Sequence, residues 1–143
     1  MTNEERIEKA GNYMQSGYNC AQAVTAAFAD VYGIDEDFAI RLATGFGGGI
    51  GCMRETCGAA CSMFLLAGLE DGPDKKPVYD DIKILADKFK EMYGTLNCAE
   101  LLGMKPSFTE LTNKQIENRK KNCVQKVEDC AKIYAEFLKS KKQ

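Results

Sequence analysis

The pattern of apolar and polar positions along the chain is that of amphipathic helices, because apolar residues recur every three or four positions. The first predicted helix opens at Thr2, which forms a capping-box signature with Glu5, and it ends at Gly17. Most of the chain can be divided into helices in this way.

The second predicted helix begins at Cys20. It follows a second capping-box signature, formed by Asn19 and Gln22. Its apolar face continues as far as Val31, and Gly33 is the expected stop.

The middle of the chain joins a glycine-rich segment to the most apolar segment. A short helix is predicted over 35–43 and a loop over 44–51. Thr56 is expected to cap the next helix, which begins at Cys57, runs to about Leu69 and is apolar almost all round. Such a helix should form the centre of a bundle.

Three more helices are predicted in the second half. Pro77 suits the first turn of one helix, and Gly94 closes it. Asn97 caps a short helix, and the last long helix opens near Thr112.

The fold class follows from these segments. No segment alternates apolar and polar residues as a half-buried strand does, so we predict an all-α fold, an antiparallel helical bundle. The length of 143 residues, with 45% hydrophobic and 28% charged residues, is that of one globular domain. We therefore expect a single helical domain over residues 1–143.

Composition also limits location and partners. The longest apolar run, at 57–69, is shorter than the roughly 20 residues needed to cross a bilayer, and the acidic N-terminal segment does not resemble a secretion signal. A cytoplasmic protein without membrane association is expected. The net charge is -2, and the basic stretch at 114–143 lacks interleaved aromatic residues, which disfavours nucleic-acid binding.

The chain has seven cysteines and no histidine. In a reducing compartment these cysteines do not form a permanent disulfide framework. The absence of histidine excludes Cys-His nucleophilic dyads, mixed Cys/His zinc sites and a haem attachment sequence. Any chemistry must therefore depend on sulfur.

Three cysteines share one local context, since Cys20, Cys57 and Cys98 each follow Asn or Thr and precede a small residue. Each is predicted to be the first residue of a helix, among unpaired amide donors that favour a thiolate. A nucleophile or a metal ligand is therefore expected at each. The alternative is cysteine used as a small core residue.

The predicted reactivity differs among the cysteines. Cys57 should be the most reactive, because the helix start lowers its pKa and because Gly58 and Ala59 leave its approach open. Cys130, on the inward face of the last helix, should be among the least reactive.

Cys123 lies in the middle of the last helix, on its apolar face. Arg119, Lys120 and Lys126 are within one turn, and nearby cations favour a thiolate. A buried cysteine below a solvated basic face explains the same pattern.

The loop glycines Gly47, Gly48 and Gly49 are candidate cofactor-binding residues. The stretch lacks the preceding strand of a dinucleotide fingerprint and the Gly-Lys-Ser/Thr of a phosphate loop. Glycine does permit left-handed backbone and a close approach of main chain to sulfur or a small ligand. The alternative is a flexible connector.

Four motifs in order give the chain a family resemblance: NCAQAV at 19–24, GFGGGIG at 45–51, TCGAACSMFLLAGL at 56–69 and NCAELLG at 97–103. This arrangement resembles the prokaryotic family called C_GCAxxG_C_C, whose members are described as redox-active. The resemblance implies redox chemistry without naming a substrate. By matching, the family's four characteristic cysteines fall on Cys20, Cys57, Cys98 and Cys123.

The chain departs from the family pattern at one point. Ser62 stands where the family motif has glycine, and an additional cysteine, Cys61, precedes it. The departure puts close helix packing at Ser62 in question and suggests an extra sulfur in the site.

Three functions are compatible with these observations. In the first, the four matched cysteines exchange with a disulfide or peroxide of an unidentified redox partner. In the second, the same four cysteines bind zinc or an iron–sulfur cluster, although no local C-x-x-C spacing is present. In the third, the chain is a helical interaction module with structural cysteines. A homo-oligomer is compatible with each.

Overall fold

The computed structural model describes residues 1–103 and 113–142, and this part of the chain contains seven α-helices. In chain order they are α1 (Asn3–Gln15), α2 (Cys20–Ala27), α3 (Glu36–Ala43), α4 (Gly58–Asp71), α5 (Lys75–Tyr93), α6 (Cys98–Leu101) and α7 (Asn113–Lys141). Short 3₁₀ segments follow α2 and α3, at Ala29–Tyr32 and Thr44–Phe46. Across the described ranges, β-type pairing is limited to one isolated antiparallel bridge, between Thr56 and Asn97. The predicted all-α fold is confirmed.

Local hydrogen bonds determine where three of the helices begin. The Thr2 hydroxyl accepts from the Glu5 amide at 3.1 Å, and Asn19 accepts from the Gln22 amide at 2.9 Å. In both cases the reciprocal side-chain bond is present, so the two predicted capping boxes are confirmed. Asn97 caps α6 through its own side chain, as predicted.

The predicted end of α2 is wrong. The helix ends at Ala27, because Phe28 leaves the helical region with a φ of -116°, and the chain continues as a 3₁₀ turn to Gly33. This turn is tighter than an α-helix and points successive side chains in other directions. Val31, expected on the buried face, is consequently 40% exposed.

The predicted start of α4 is also wrong. Cys57, not Thr56, is the N-cap residue, and the helix runs from Gly58 to Asp71. The backbone of Thr56 pairs with Asn97 in the isolated bridge, so Thr56 lies outside the helix start. The predicted start of the last helix near Thr112 falls outside the described residues.

Helix α4 lies at the centre of the bundle, as its composition predicts. It packs against α2, α5 and α7, while α1 packs against α2 and α7. The largest fully buried apolar and aromatic side chains are Val24, Phe28, Met63, Leu66, Leu85, Phe89, Val127 and Tyr134. Burying one such side chain contributes roughly 1.5–3 kcal/mol, so these residues hold the bundle together. Neither α4 nor another helix in the described part is both long and apolar enough to cross a membrane.

Candidate functional site

Four cysteines that are far apart in sequence line one small cavity of about 20 Å³. They are Cys20, Cys57, Cys98 and Cys123. The cavity lies where the N-terminal ends of α2, α4 and α6 meet the middle of α7. The structure thus brings together the four cysteines that the sequence singled out, and we call this group the four-cysteine cavity.

A short antiparallel pairing holds Cys57 near Cys98. Thr56 and Asn97 form the bridge, and each cysteine directly follows one of these residues. The amide of Cys98 donates to the carbonyl of Glu55 at 2.5 Å, which fixes the crossing of the two segments. Both cysteines line the cavity next to this bridge.

The glycine loop wraps the cavity with left-handed backbone. The residues with positive φ are Gly48 (67°), Gly49 (73°), Ile50 (65°), Gly51 (55°), Cys52 (61°) and Arg54 (59°). Side chains larger than glycine rarely adopt this conformation, so its repeated use here indicates a tightly constrained turn. The amide of Cys52 donates to Gly47 and that of Arg54 to Gly48, which closes the turn on itself.

Two glycines, which have no side chain, let the backbone approach the cysteines closely. A Cβ atom at Gly49 would lie 2.6 Å from the Cβ of Cys98, and one at Gly58 would lie 2.7 Å from the Sγ of Cys20. Real side chains do not tolerate such distances, so both positions require glycine while the cysteines stay where they are.

The three candidate cofactor-binding glycines have different surroundings. Gly48 and Gly49 line the four-cysteine cavity. Gly47 instead faces Asn19, whose side chain a Cβ atom there would overlap, so it makes room for the cap of α2. Cofactor binding by these glycines stays a prediction.

Arg54 is a site residue that the sequence reasoning missed. Its side chain lines the cavity although the residue is only 4% exposed. Its Nη1 atom lies 3.9 Å from the Sγ of Cys98 and donates to the carbonyl of Gly48 at 3.5 Å. Its Nε atom is buried without a hydrogen-bond partner among the described residues. A buried guanidinium therefore faces the cysteines with unused donor capacity.

Lys126 supplies a second buried cation. It lines the same cavity, is 5% exposed, and lies over the ring of Tyr93 with its Nζ atom 5.5 Å from the ring centroid. Within residues 1–103 and 113–142 neither Lys126 nor Arg54 forms an ion pair, and no described Asp or Glu lines the cavity. The cavity is consequently cationic.

Sequence signals for these two cations differ. Lys126 lies three residues after Cys123 on one helical face, and the sequence already placed it near that sulfur. Arg54 follows the left-handed turn, where no periodic pattern indicates which side chains point inward. The side chains of Arg119 and Lys120, also expected near Cys123, are not among those that the structure describes.

The expected lowering of thiol pKa at helix starts is wrong for two of the cysteines. Burial raises the pKa of the Cys20 thiol to about 12, and the neighbouring Cys57 adds to the rise. Burial also raises the pKa of the Cys57 thiol to about 11, although the amides of Ala60 and Ala59 act in the opposite direction. Removing a thiolate from water here outweighs the favourable helix end.

The expected high reactivity of Cys57 is not compatible with this environment. Cys57 is 6% exposed and the neighbouring Gly58 and Ala59 are buried, so a reagent cannot approach this sulfur from solvent along them. Cys98 is partly exposed. Cys130 is fully buried, and burial raises the pKa of its thiol well above the ordinary value, which agrees with its expected low reactivity.

The departure from the family pattern is accommodated without opening the packing. Ser62 is fully buried, and its hydroxyl donates to the carbonyl of Ala59 at 2.6 Å. Cys61 is buried outside the cavity lining, with its sulfur 3.9 Å from the carbonyl oxygen of Thr56. The extra sulfur therefore has not joined the four-cysteine cavity.

The four-cysteine cavity does not have the geometry of a metal centre among the residues that the structure describes. In the part of the chain that the structure describes, no three His, Cys, Asp or Glu side chains are placed so that they could hold one metal ion. The four cysteines share a cavity, but their geometry here is not that of a preformed ligand set.

One comparison with known proteins gives a match. A family model described as "Putative redox-active protein (C_GCAxxG_C_C)" matches residues 18–137 and so covers all four cavity cysteines. No curated protein and no solved structure matches the chain.

Proposed function

The chain belongs to this C_GCAxxG_C_C family, described as redox-active, and we propose that its four-cysteine cavity is a thiol–disulfide redox centre. The observation that carries the proposal is the convergence of four cysteines from α2, α4, α6 and α7 on one cavity with two buried cations. Among the described residues of the lining, the cysteines are the side chains that carry out redox chemistry. A cationic, partly open cavity suits a sulfur that reacts as an anion.

Cys98 is the attacking sulfur in this proposal. It is partly exposed, so a partner disulfide can reach it, whereas Cys57 is buried. The Arg54 guanidinium 3.9 Å from its Sγ atom stabilises negative charge at that position. Exposure favours Cys98 over Cys57, and the guanidinium 3.9 Å from its sulfur is the further argument for Cys98.

Cys57 is the resolving sulfur. The Cys98 thiolate attacks one sulfur of a partner disulfide, forms a mixed disulfide and expels one partner thiolate. Cys57 then loses its proton and attacks the Cys98 sulfur, and the second partner sulfur leaves. The protein gives up two electrons and two protons, and the partner disulfide becomes two thiols.

The raised pKa of Cys57 suits the resolving role. Burial keeps this thiol protonated in the reduced protein, so it does not compete with Cys98 for the first attack. The bridge between Thr56 and Asn97 keeps it near Cys98 for the second step.

Reaction with oxidised glutathione tests the proposal. Reduced, metal-free protein is mixed with glutathione disulfide, quenched with acid, alkylated and mapped by peptide mass spectrometry. We expect a Cys57–Cys98 disulfide in the parent protein and a stable glutathione adduct on Cys98 in Cys57→Ser. Cys61→Ser, which removes a buried sulfur outside the cavity, is the control and should behave as the parent.

Two outcomes would contradict the proposal. The first is glutathionylation confined to the exposed Cys52, with no disulfide among the cavity cysteines. The second is protein that carries stoichiometric zinc or iron after purification without added metal, with its cavity cysteines protected until a chelator is added.

A further inference from the structure

The lining of the four-cysteine cavity combines positive charge with apolar surface. Arg54 and Lys126 supply the charge, and Met14, Leu101 and Leu102 supply apolar side chains. Among the described residues no carboxylate lines this space. Buried cations without a protein counter-charge favour an anion beside them.

The Nε atom of Arg54 adds an independent indication of a ligand. It is buried and makes no hydrogen bond within the described residues, and the whole residue is 4% exposed. A buried donor without a partner is unfavourable, so a bound acceptor in the cavity would stabilise it.

The size of the cavity restricts the anion. A water molecule needs at least about 10–15 Å³ of such space, and the cavity has about 20 Å³. A compact anion therefore fits this space better than phosphate, sulfate or a carboxylate, which carry several oxygens on a central atom. The apolar side chains further favour a weakly hydrated anion. Hydrosulfide is a single heavy atom with one charge, is only slightly larger than water and attacks disulfides.

We propose that the oxidised centre binds hydrosulfide beside Arg54 and forms a persulfide on Cys98; this rests on the thiol–disulfide function proposed above. Hydrosulfide attacks the Cys98 sulfur of the Cys57–Cys98 disulfide. A new sulfur–sulfur bond forms on Cys98 as the bond to Cys57 breaks, and the hydrosulfide proton passes to the Cys57 sulfur. The product is a Cys98 persulfide anion and a Cys57 thiol, with no further oxidant needed.

Sodium hydrosulfide added to the oxidised protein tests this step. The Cys57–Cys98 disulfide is first mapped, the sulfide is then added, and the product is alkylated and analysed by peptide mass spectrometry. We expect Cys98 to gain the mass of one sulfur atom. Arg54→Gln should slow the gain by about tenfold or more, since an interaction with a charged group is lost, while Arg54→Lys should slow it less.

Two controls separate charge recognition from a structural effect of the substitution. The far-ultraviolet circular dichroism spectrum of oxidised Arg54→Gln should match that of the parent protein, which excludes unfolding as the cause of a slower reaction. In the parent protein, bromide should slow persulfide formation more than sulfate does at equal ionic strength, because the single-atom anion fits the cavity better.

The outcomes distinguish the two proposals. If no disulfide forms before sulfide is added, the redox centre and this inference both fail. If the disulfide forms but sulfide yields only plain thiols, or if Arg54→Gln and bromide leave the rate unchanged, the inference is wrong and the redox centre stands.

Discussion

The Nη1 atom of Arg54 lies 3.9 Å from the Sγ atom of Cys98, at the end of a guanidinium that is almost completely buried. An arginine side chain in a protein does not lose its charge. Arg54 forms no ion pair within the described ranges. The positive charge of its guanidinium can therefore be balanced by a thiolate in the cavity. This pair joins the glycine loop to α6 and is the electrostatic basis of the proposed centre.

The first prediction concerns that pair. Arg54→Gln should lower the rate of Cys98 alkylation by iodoacetamide at neutral pH by about tenfold, because a charged interaction with the sulfur is lost. Arg54→Lys should retain more of the rate. Exposed Cys52, measured in the same digest by peptide mass spectrometry, is the internal reference. An equal rate at Cys98 in parent and Arg54→Gln would show that the guanidinium does not act on this sulfur.

The second prediction concerns the contact between α4 and Cys20. A methyl group at Gly58 would lie 2.6 Å from the carbonyl oxygen of Phe46 and 2.7 Å from the Cys20 sulfur. Gly58→Ala should therefore lower the free energy of unfolding by about 1–3 kcal/mol, the usual range for overpacking. Urea denaturation followed by circular dichroism measures the change.

Gly68 in the same helix is the matched control for Gly58. A Cβ atom there meets nothing within 4 Å. Gly68→Ala should leave stability unchanged or raise it by up to about 1 kcal/mol, because alanine favours the helix. A Gly58→Ala protein as stable as Gly68→Ala would mean that the loop and Cys20 are not held as described.

The third prediction is a pH dependence of stability. The pKa of the Cys57 thiol is raised to about 11 in the folded protein and is about 8.5 in an unfolded chain. The folded thiol keeps its proton where the unfolded one loses it. The contribution of this pKa difference to the free energy of unfolding is therefore complete below about pH 8.5 and is lost as the pH rises toward 11.

Cys57→Ala should reduce the fall of unfolding free energy with pH by up to about 1.4 kcal/mol per pH unit. The comparison is best made between about pH 8.5 and 10, since above this range tyrosines with a raised pKa begin to contribute with the same sign; the pKa of the partly buried Tyr13, for example, is raised to about 12. Cys52→Ala, at an exposed position, is the control. Parallel pH profiles for the parent and Cys57→Ala would contradict the burial of this thiol.

The fourth prediction concerns the C-terminal end of α7. Lys141 pairs with Asp71 at 2.5 Å and with Asp81 at 2.7 Å, and the side chain of Asp81 is 5% exposed. Lys141→Met would leave a buried carboxylate without its cation. Since the lysine itself is 31% exposed, the expected loss is about 1–3 kcal/mol rather than that of a fully buried pair.

Lys139→Met, which changes an exposed lysine in the same turn, should alter stability by less than about 0.5 kcal/mol. Thermal denaturation of the two variants beside the parent measures the difference. If both substitutions have the same small effect, the ion pairs of Lys141 do not hold α7 to the rest of the bundle.

Features that depend on neighbouring residues were predictable from the sequence. The capping boxes at Thr2 and Asn19 are formed within four residues, and both helix starts were predicted correctly. The prediction that Thr56 caps a helix beginning at Cys57 is wrong by one residue, because Cys57 is the N-cap and the Thr56 backbone pairs with Asn97, a contact that no local pattern reveals.

The cysteines of the site were predictable from the sequence, but Arg54 and the direction of the thiol pKa shifts were not. Cys20 and Cys98 were identified from their caps, and both line the cavity. The direction of the pKa shift at Cys20 was wrong because it depends on burial, which packing of distant helices determines. Arg54 was missed because a left-handed turn, rather than a helical period, directs its side chain inward.

The central claim is that two cavity cysteines exchange electrons as a reversible dithiol–disulfide pair. The most direct test equilibrates the metal-free protein with mixtures of reduced and oxidised glutathione and follows each cysteine by alkylation and peptide mapping. We predict one reversible transition in which Cys57 and Cys98 lose their thiols together and recover them together on reduction. If both stay reduced while only Cys52 is modified, or if Cys98 oxidises without a disulfide partner in the cavity, the claim is contradicted.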